Sequence, residues 1–239
     1  MRTHPQSSKS VVLFTPPTSS PDFHHHDVTP FDCGNNTHIP VVSSFSYLGS
    51  TIDSSAMDHS DVVSRISKAS KAFGALQKPV FKNKYLTRAA KTAIFRSAIL
   101  PIALYGSECW SLTAADEHSL QVFFNRCVRS INNVSKWSQR HNRISSESLR
   151  KCLKLPNIKT LLARKLLRWA GHIVRMKNSR LPRRLLSAWC AHKRPMGGPK
   201  RTYGRGIIRQ LHKSNIDVHN WDDLAQDRVG WRRMLKKIS

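Results

Sequence analysis

At 239 residues the chain carries 40 Lys+Arg against 14 Asp+Glu, a formal charge of +26 and a pI near 10.8, more than solubility asks for. That excess points to a polyanion as partner: nucleic acid first, an anionic membrane surface second, an acidic protein third. No apolar run is long enough for a transmembrane helix, Met1–Pro21 holds no secretory apolar segment, and five scattered cysteines (Cys33, Cys109, Cys127, Cys152, Cys190) do not make a disulfide framework, so a reducing location, nuclear or cytoplasmic, is expected.

Residues 1–40 are rich in Ser, Pro and His, with Pro16–Pro17 and His24–His26, and are expected to be disordered. Residues 41–140 open with Val41–Val42 and Phe45-Ser-Tyr47-Leu48-Gly49, a short strand or hairpin closed by a glycine turn. Val62, Val63, Ile66, Ala69, Phe73 and Leu76 recur at steps of three and four, predicting an amphipathic helix that ends before Pro79. A second helix is predicted from about Leu86 to Leu100, stopped by Pro101. Thr113-Ala-Ala-Asp116 reads as a capping box opening a third, with Leu120, Phe123, Phe124, Cys127 and Ile131 inward.

Residues 141–239 form a basic helical region. Leu162, Leu166, Trp169, Ile173 and Met176 make an apolar stripe, while Arg164, Arg168, His172 and Arg175 share another face. A shorter helix is predicted around Leu181–Cys190, with Pro182 in its first turn. Met196-Gly-Gly-Pro199 is a loop, and helices over Tyr203–Lys213 and Trp221–Lys237 close the chain. The fold class is therefore mostly α, a helical bundle after a short β segment.

Between Ser148 and Ile216 there is no Asp or Glu and there are 19 of the 40 Lys+Arg. Mixed-sign surfaces are the norm for a helical protein, so an acid-free span of this length reads as a footprint for phosphates. Trp169, Trp189 and Tyr203 lie among these cations and could stack on bases, though Trp110, Trp169, Trp221 and Trp231 are assigned to packing.

Cys190-Ala-His192, His172, and Cys33 with His38 lack the paired spacing of zinc sites. Gly197-Gly198-Pro199-Lys200-Arg201 lacks the frame of a nucleotide loop. Asp222 and Asp223 are adjacent, so on a helix they diverge by about 100°, and they are expected in a first turn, where acids suit the helix N-terminus. Asp227 is expected to pair with Arg228 and Arg232. No metal or cofactor is expected.

Several segments resemble, in order, the region after the catalytic palm in reverse transcriptases of non-LTR (LINE-type) retrotransposons. They are Phe45-Ser-Tyr47-Leu48-Gly49-Ser50-Thr51-Ile52, Arg65-Ile66 with Lys68-Ala69, and Pro101-x-x-Leu104-Tyr105-Gly106-x-Glu108-x-Trp110. Downstream follow Arg168-Trp169-x-Gly171-His172-x-x-Arg175-Met176, Gly198-Pro199-Lys200-Arg201-x-Tyr203, and Trp221-x-x-Leu224-Ala225-x-Asp227-Arg228-x-x-Trp231-Arg232. The resemblance runs from Phe45 to Arg233 and leaves residues 1–40 outside it.

It implies thumb-like helices in 41–140 and a C-terminal region that grips template RNA and primer or target DNA. The palm aspartates that hold two metal ions for nucleotidyl transfer have no counterpart upstream of Phe45, so a chain without catalysis of its own is expected. The expected partner is RNA or DNA, bound without sequence preference, with no membrane and no small-molecule substrate. The binding residues expected are Arg164, Lys165, Arg168, Arg175, Arg183, Arg184, Lys200, Arg201 and Arg205, and joint loss of Arg164, Arg168 and Arg175 is expected to weaken binding and flatten its salt dependence. Two rival readings are a decayed retroelement product that folds poorly and a magnesium-dependent nuclease using His219, Asp222 and Asp223.

Overall fold

The computed structural model describes residues 11–13, 31–32, 38–55, 57–186 and 203–238, and these are mostly α-helical after a short β segment. Most of the segment 1–40 lies outside the described residues, as do the Met196–Pro199 loop and Trp189. The chain forms two compact units, with their boundary between Ser64 and Arg65.

The first unit holds short strands. β1 (Val12–Leu13) pairs in parallel with β4 (Val41–Val42), and β2 (Phe31–Asp32) is antiparallel to β3 (His38–Ile39). β5 (Ser44–Tyr47) ends at the glycine turn expected from sequence and continues into β6 (Ser50–Asp53) as a hairpin, with Tyr47 opposite Ser50. Its two loop residues, Leu48 (φ 48°) and Gly49 (φ 86°), both lie in the left-handed region, the pattern of a turn whose twist matches the strands it joins. The buried Asp61 carboxylate in the first turn of α1 (His59–Ala75) accepts from Thr51 N–H at 2.9 Å, which ties helix to hairpin.

In the second unit α1 is followed by a π-helical turn, Gln77–Phe81, and by α2 (Arg88–Ile94), which Thr87 caps by accepting from Ala90 N–H at 3.2 Å. The predicted stop at Pro101 is not observed. A π-turn at Phe95–Ile99 lets Leu100 N–H reach back to the Phe95 carbonyl, and the chain stays helical through α3 (Leu100–Ala103). Proline has no N–H for an i−4 bond and its ring crowds that carbonyl; the wider turn just before it removes both conflicts.

α4 (Ala114–Ile131) starts at the expected capping box, Thr113 Oγ1 accepting from Asp116 N–H and Asp116 Oδ2 from Thr113 N–H, each at 3.1 Å. Its inward Phe124 meets Phe95 (centroids 5.9 Å), which meets Phe73 edge-on (6.4 Å), itself stacked on Phe81 (4.2 Å). This aromatic chain runs through one core. Arg65, only 6% exposed, lies 4.2 Å over the Tyr105 ring, so two segments forty residues apart in sequence meet.

α5 (Lys136–His141), α6 (Ser146–Cys152) and α7 (Ile158–Val174) follow, each opened by a side-chain cap from Ser135, Ser145 and Asn157. α8 (Leu181–Leu186) and α9 (Tyr203–Lys213) come next. The single helix predicted over Trp221–Lys237 is two, α10 (Trp221–Gln226) and α11 (Arg228–Lys237), because Asp227 turns extended (ψ 99°) and its carboxylate accepts from Val229 N–H at 2.9 Å. That cap is the role found for the carboxylate expected to pair with Arg228 and Arg232. A second core joins Leu167 and Ala170 of α7 to Ile207 and Leu211 of α9, Ala225 of α10, and Trp231 and Leu235 of α11.

Candidate nucleic-acid interface

α7 is packed on two sides, by α4 and by α9–α11, so its buried arc is wider than the predicted stripe. Leu162 and Ile173 of that stripe are buried, joined by Ile158, Ala163, Leu167, Ala170 and Val174, whereas Leu166, Trp169 and Met176 are half-exposed. Trp169, expected in the core, instead edges a cleft.

That cleft, 460 Å³, lies between α7 and α11. Arg168, Trp169, His172 and Arg175 line it from α7, Arg228, Trp231 and Arg232 from α11, and Lys165 with Glu108 at one end. The floor is rigid. Trp231 is 1% exposed and donates from Nε1 to the Leu167 carbonyl at 3.0 Å, and Gly171 admits it, because a Cβ there would overlap the indole.

The cleft is strongly positive. Among the described residues Glu108 is its only lining acid, and Lys165 Nζ lies 3.2 Å from it. Arg168, Arg228 and Arg232 pair with no carboxylate among the described residues. Burial and the neighbouring charges of Arg228 and Arg232 lower the Arg175 pKa from the ordinary arginine range. A group whose charged form is disfavoured by like charges marks a place where an anion is welcome.

The residues proposed from sequence take different positions. Arg164 donates to the carbonyls of Lys236 (2.9 Å) and Ile238 (2.6 Å), with its Nε buried and without a hydrogen-bond partner among the described residues. Lys165 donates to the Leu104 carbonyl at 2.6 Å, and Arg175 donates to the Ala225 carbonyl. These three join α7 to its neighbours while edging the cationic surface. Arg168 is exposed into the cleft. Arg183, half-buried, and Arg184, exposed, sit on α8.

Arg205 belongs to a second cleft of 380 Å³, with Arg209 and Lys213 at four-residue steps on α9 and Lys159 opposite. Lys200 and Arg201 lie outside the described residues. Tyr203, considered for base stacking, donates its hydroxyl to the Glu108 carbonyl at 3.0 Å and is raised in pKa by burial, with Cys109 and Glu108 adding to the shift; it docks α9. Arg228, Arg232, Arg209 and Lys213 were not among the residues proposed. Their i, i+4 spacing was the available signal, but Arg228 and Arg232 lie beyond the acid-free span and beside Asp227.

Asp222 and Asp223 sit in the first turn of α10, as expected. His219 N–H and Asn220 Nδ2 donate to Asp217 at 3.0 and 2.8 Å. Among the described residues no group of three or more His, Cys, Asp or Glu comes together to hold a metal ion, and no helix is long and apolar enough to cross a membrane.

No family model and no solved structure matches the chain. It is similar to an uncharacterized transposon-derived protein of Caenorhabditis elegans, 21% identical over 210 residues, which cover 85% of this chain and 74% of that protein.

Proposed function

We propose that the chain is a transposon-derived nucleic-acid-binding protein, the helical region that follows the palm in a non-LTR reverse transcriptase. It grips the backbone of RNA, DNA or their hybrid in the cleft between α7 and α11, without sequence readout, cofactor or small-molecule substrate. The observation that carries this reading is the convergence of Arg168, Arg175, Arg228 and Arg232 on one cleft with a single lining acid among the described residues. Phosphates are the ligand that relieves such crowding, and displaced counterions supply the affinity. The indole edge of Trp169 at the rim suits a sugar or base face. The similarity to a transposon-derived protein supports the origin, and the ordered motifs from Phe45 to Arg233 support the finer placement after a palm.

The test is fluorescence anisotropy with labelled RNA, DNA and hybrid, comparing wild type with Arg168→Ala/Arg228→Ala/Arg232→Ala. Among the described residues these three arginines make no fold-joining hydrogen bond, unlike Arg164 and Arg175, so the triple variant is expected to fold, which its thermal melting checks. Affinity should fall more than about tenfold on every backbone, with a flatter salt dependence. Unchanged affinity would remove the cleft as the binding site.

A further inference from the structure

Trp137 of α5 is 71% exposed, although tryptophan is on average among the more buried residues. His141, one turn on, stacks against its indole with centroids 4.8 Å apart and planes 8° from parallel, which fixes the ring while its exposed surface faces solvent. No residue of α5 is buried. Hydrogen bonds hold the helix in place: Ser138 N–H to Ser135 Oγ at 2.9 Å, and Gln139 Nε2 to the Ile144 carbonyl (3.2 Å) and to Ser146 Oγ (3.1 Å). The indole therefore does little for folding.

Its surroundings are cationic. Lys136 and Arg140 form the adjacent i, i+4 row on α5, Arg143 follows at its end, and all three are exposed. From His118 to Ile216 the one Asp or Glu is Glu147, and Lys151 holds it at 2.9 Å.

We infer that Trp137, backed by His141, is a stacking platform for the bases of a single-stranded nucleic acid whose phosphates meet Lys136, Arg140 and Arg143. An aromatic face beside a cationic row is what single strands need: the bases have exposed π-faces and the backbone is anionic. A duplex buries those faces, and an acidic protein partner offers no stack of planar rings. This inference rests on the nucleic-acid reading above but concerns a separate surface.

The experiment compares wild type, Trp137→Ala and Trp137→Phe on three probes: a single strand of about 12 nucleotides, an abasic strand of equal length and charge, and a duplex. Trp137→Ala should lose about tenfold on the base-bearing single strand, with no change on the abasic strand or the duplex, and Trp137→Phe should recover most of the loss. A loss equal on abasic and base-bearing strands, or no loss at all, overturns the platform while leaving the α7–α11 cleft standing. Wild type that binds none of the probes overturns both. Unchanged thermal melting of the variants checks that the surface substitution leaves the fold intact.

Discussion

At the scale of single residues, the contact between Gly171 and Trp231 is the least forgiving. The indole reaches the α7 backbone because position 171 has no Cβ, and its N–H uses the Leu167 carbonyl. Gly171→Ala removes a helix-weakening residue, a gain of up to about 1 kcal/mol, but forces the buried ring away, a cost of about 1–3 kcal/mol. The overlap wins: the denaturant midpoint should drop with an unchanged slope, and Trp231→Phe on the Gly171→Ala background should recover part of it. The thiols give a second residue-scale expectation. Burial pushes Cys127 up to about 12, so it stays protonated and inert at pH 8, whereas Cys109 and Cys152 are exposed. Alkylation of native protein followed by peptide mass mapping should modify Cys109 and Cys152 and spare Cys127 until denaturant is added.

At the scale of elements, four helices end alike. Asn133, Arg143, Lys154 and Asn215 take φ between 49° and 57°, and the next residue's N–H closes a six-residue loop in each case: Val134 to Arg129, Ile144 to Gln139, Leu155 to Arg150, Ile216 to Leu211. This is the Schellman closure, with an apolar residue after the left-handed one. Lys and Arg have a Cβ that penalises this conformation by about 1–2 kcal/mol, partly offset by the extra freedom glycine gives the unfolded chain. Lys154→Gly should therefore stabilise by about 0.5–1 kcal/mol in equilibrium denaturation, whereas Lys154→Ala, which keeps the Cβ, should not.

The same elements show what was legible in the sequence. The Leu48–Gly49 turn and the Thr113 box are local devices written in adjacent residues, so they could be located. The π-turn before Pro101 and the break at Asp227 depend on what the helix packs against, and proline or aspartate alone does not report that. For the cleft, Arg168 was legible on its helix face. Its counterparts Arg228 and Arg232 were not, because only the packing of α11 on α7 brings them together.

At the scale of the whole molecule, the few acids are mostly engaged locally. Asp53, Asp61, Asp116, Asp217 and Asp227 all accept from backbone N–H groups, and Glu108, Glu117 and Glu147 each meet one lysine. The remaining cations repel each other in the folded state more than in an expanded chain. For Arg175 the sign is explicit: its pKa is lowered by burial and by Arg228 and Arg232, so its charged form opposes folding at every pH below the folded pKa. Neutral pH cannot relieve this, but salt can, since the screening length falls from about 30 Å at 0.01 M to about 10 Å at 0.1 M. Tm should rise over that range, and should rise further with a saturating polyanion at constant ionic strength, because a ligand that binds only the folded state stabilises by mass action. Arg228→Ala/Arg232→Ala should melt higher than wild type at 0.01 M salt, converge with it as salt increases, and gain less from the polyanion. A Tm that falls with salt in wild type, or a double variant that melts lower at 0.01 M, would mean that these arginines hold the fold together and are not the unneutralised surface of a binding cleft.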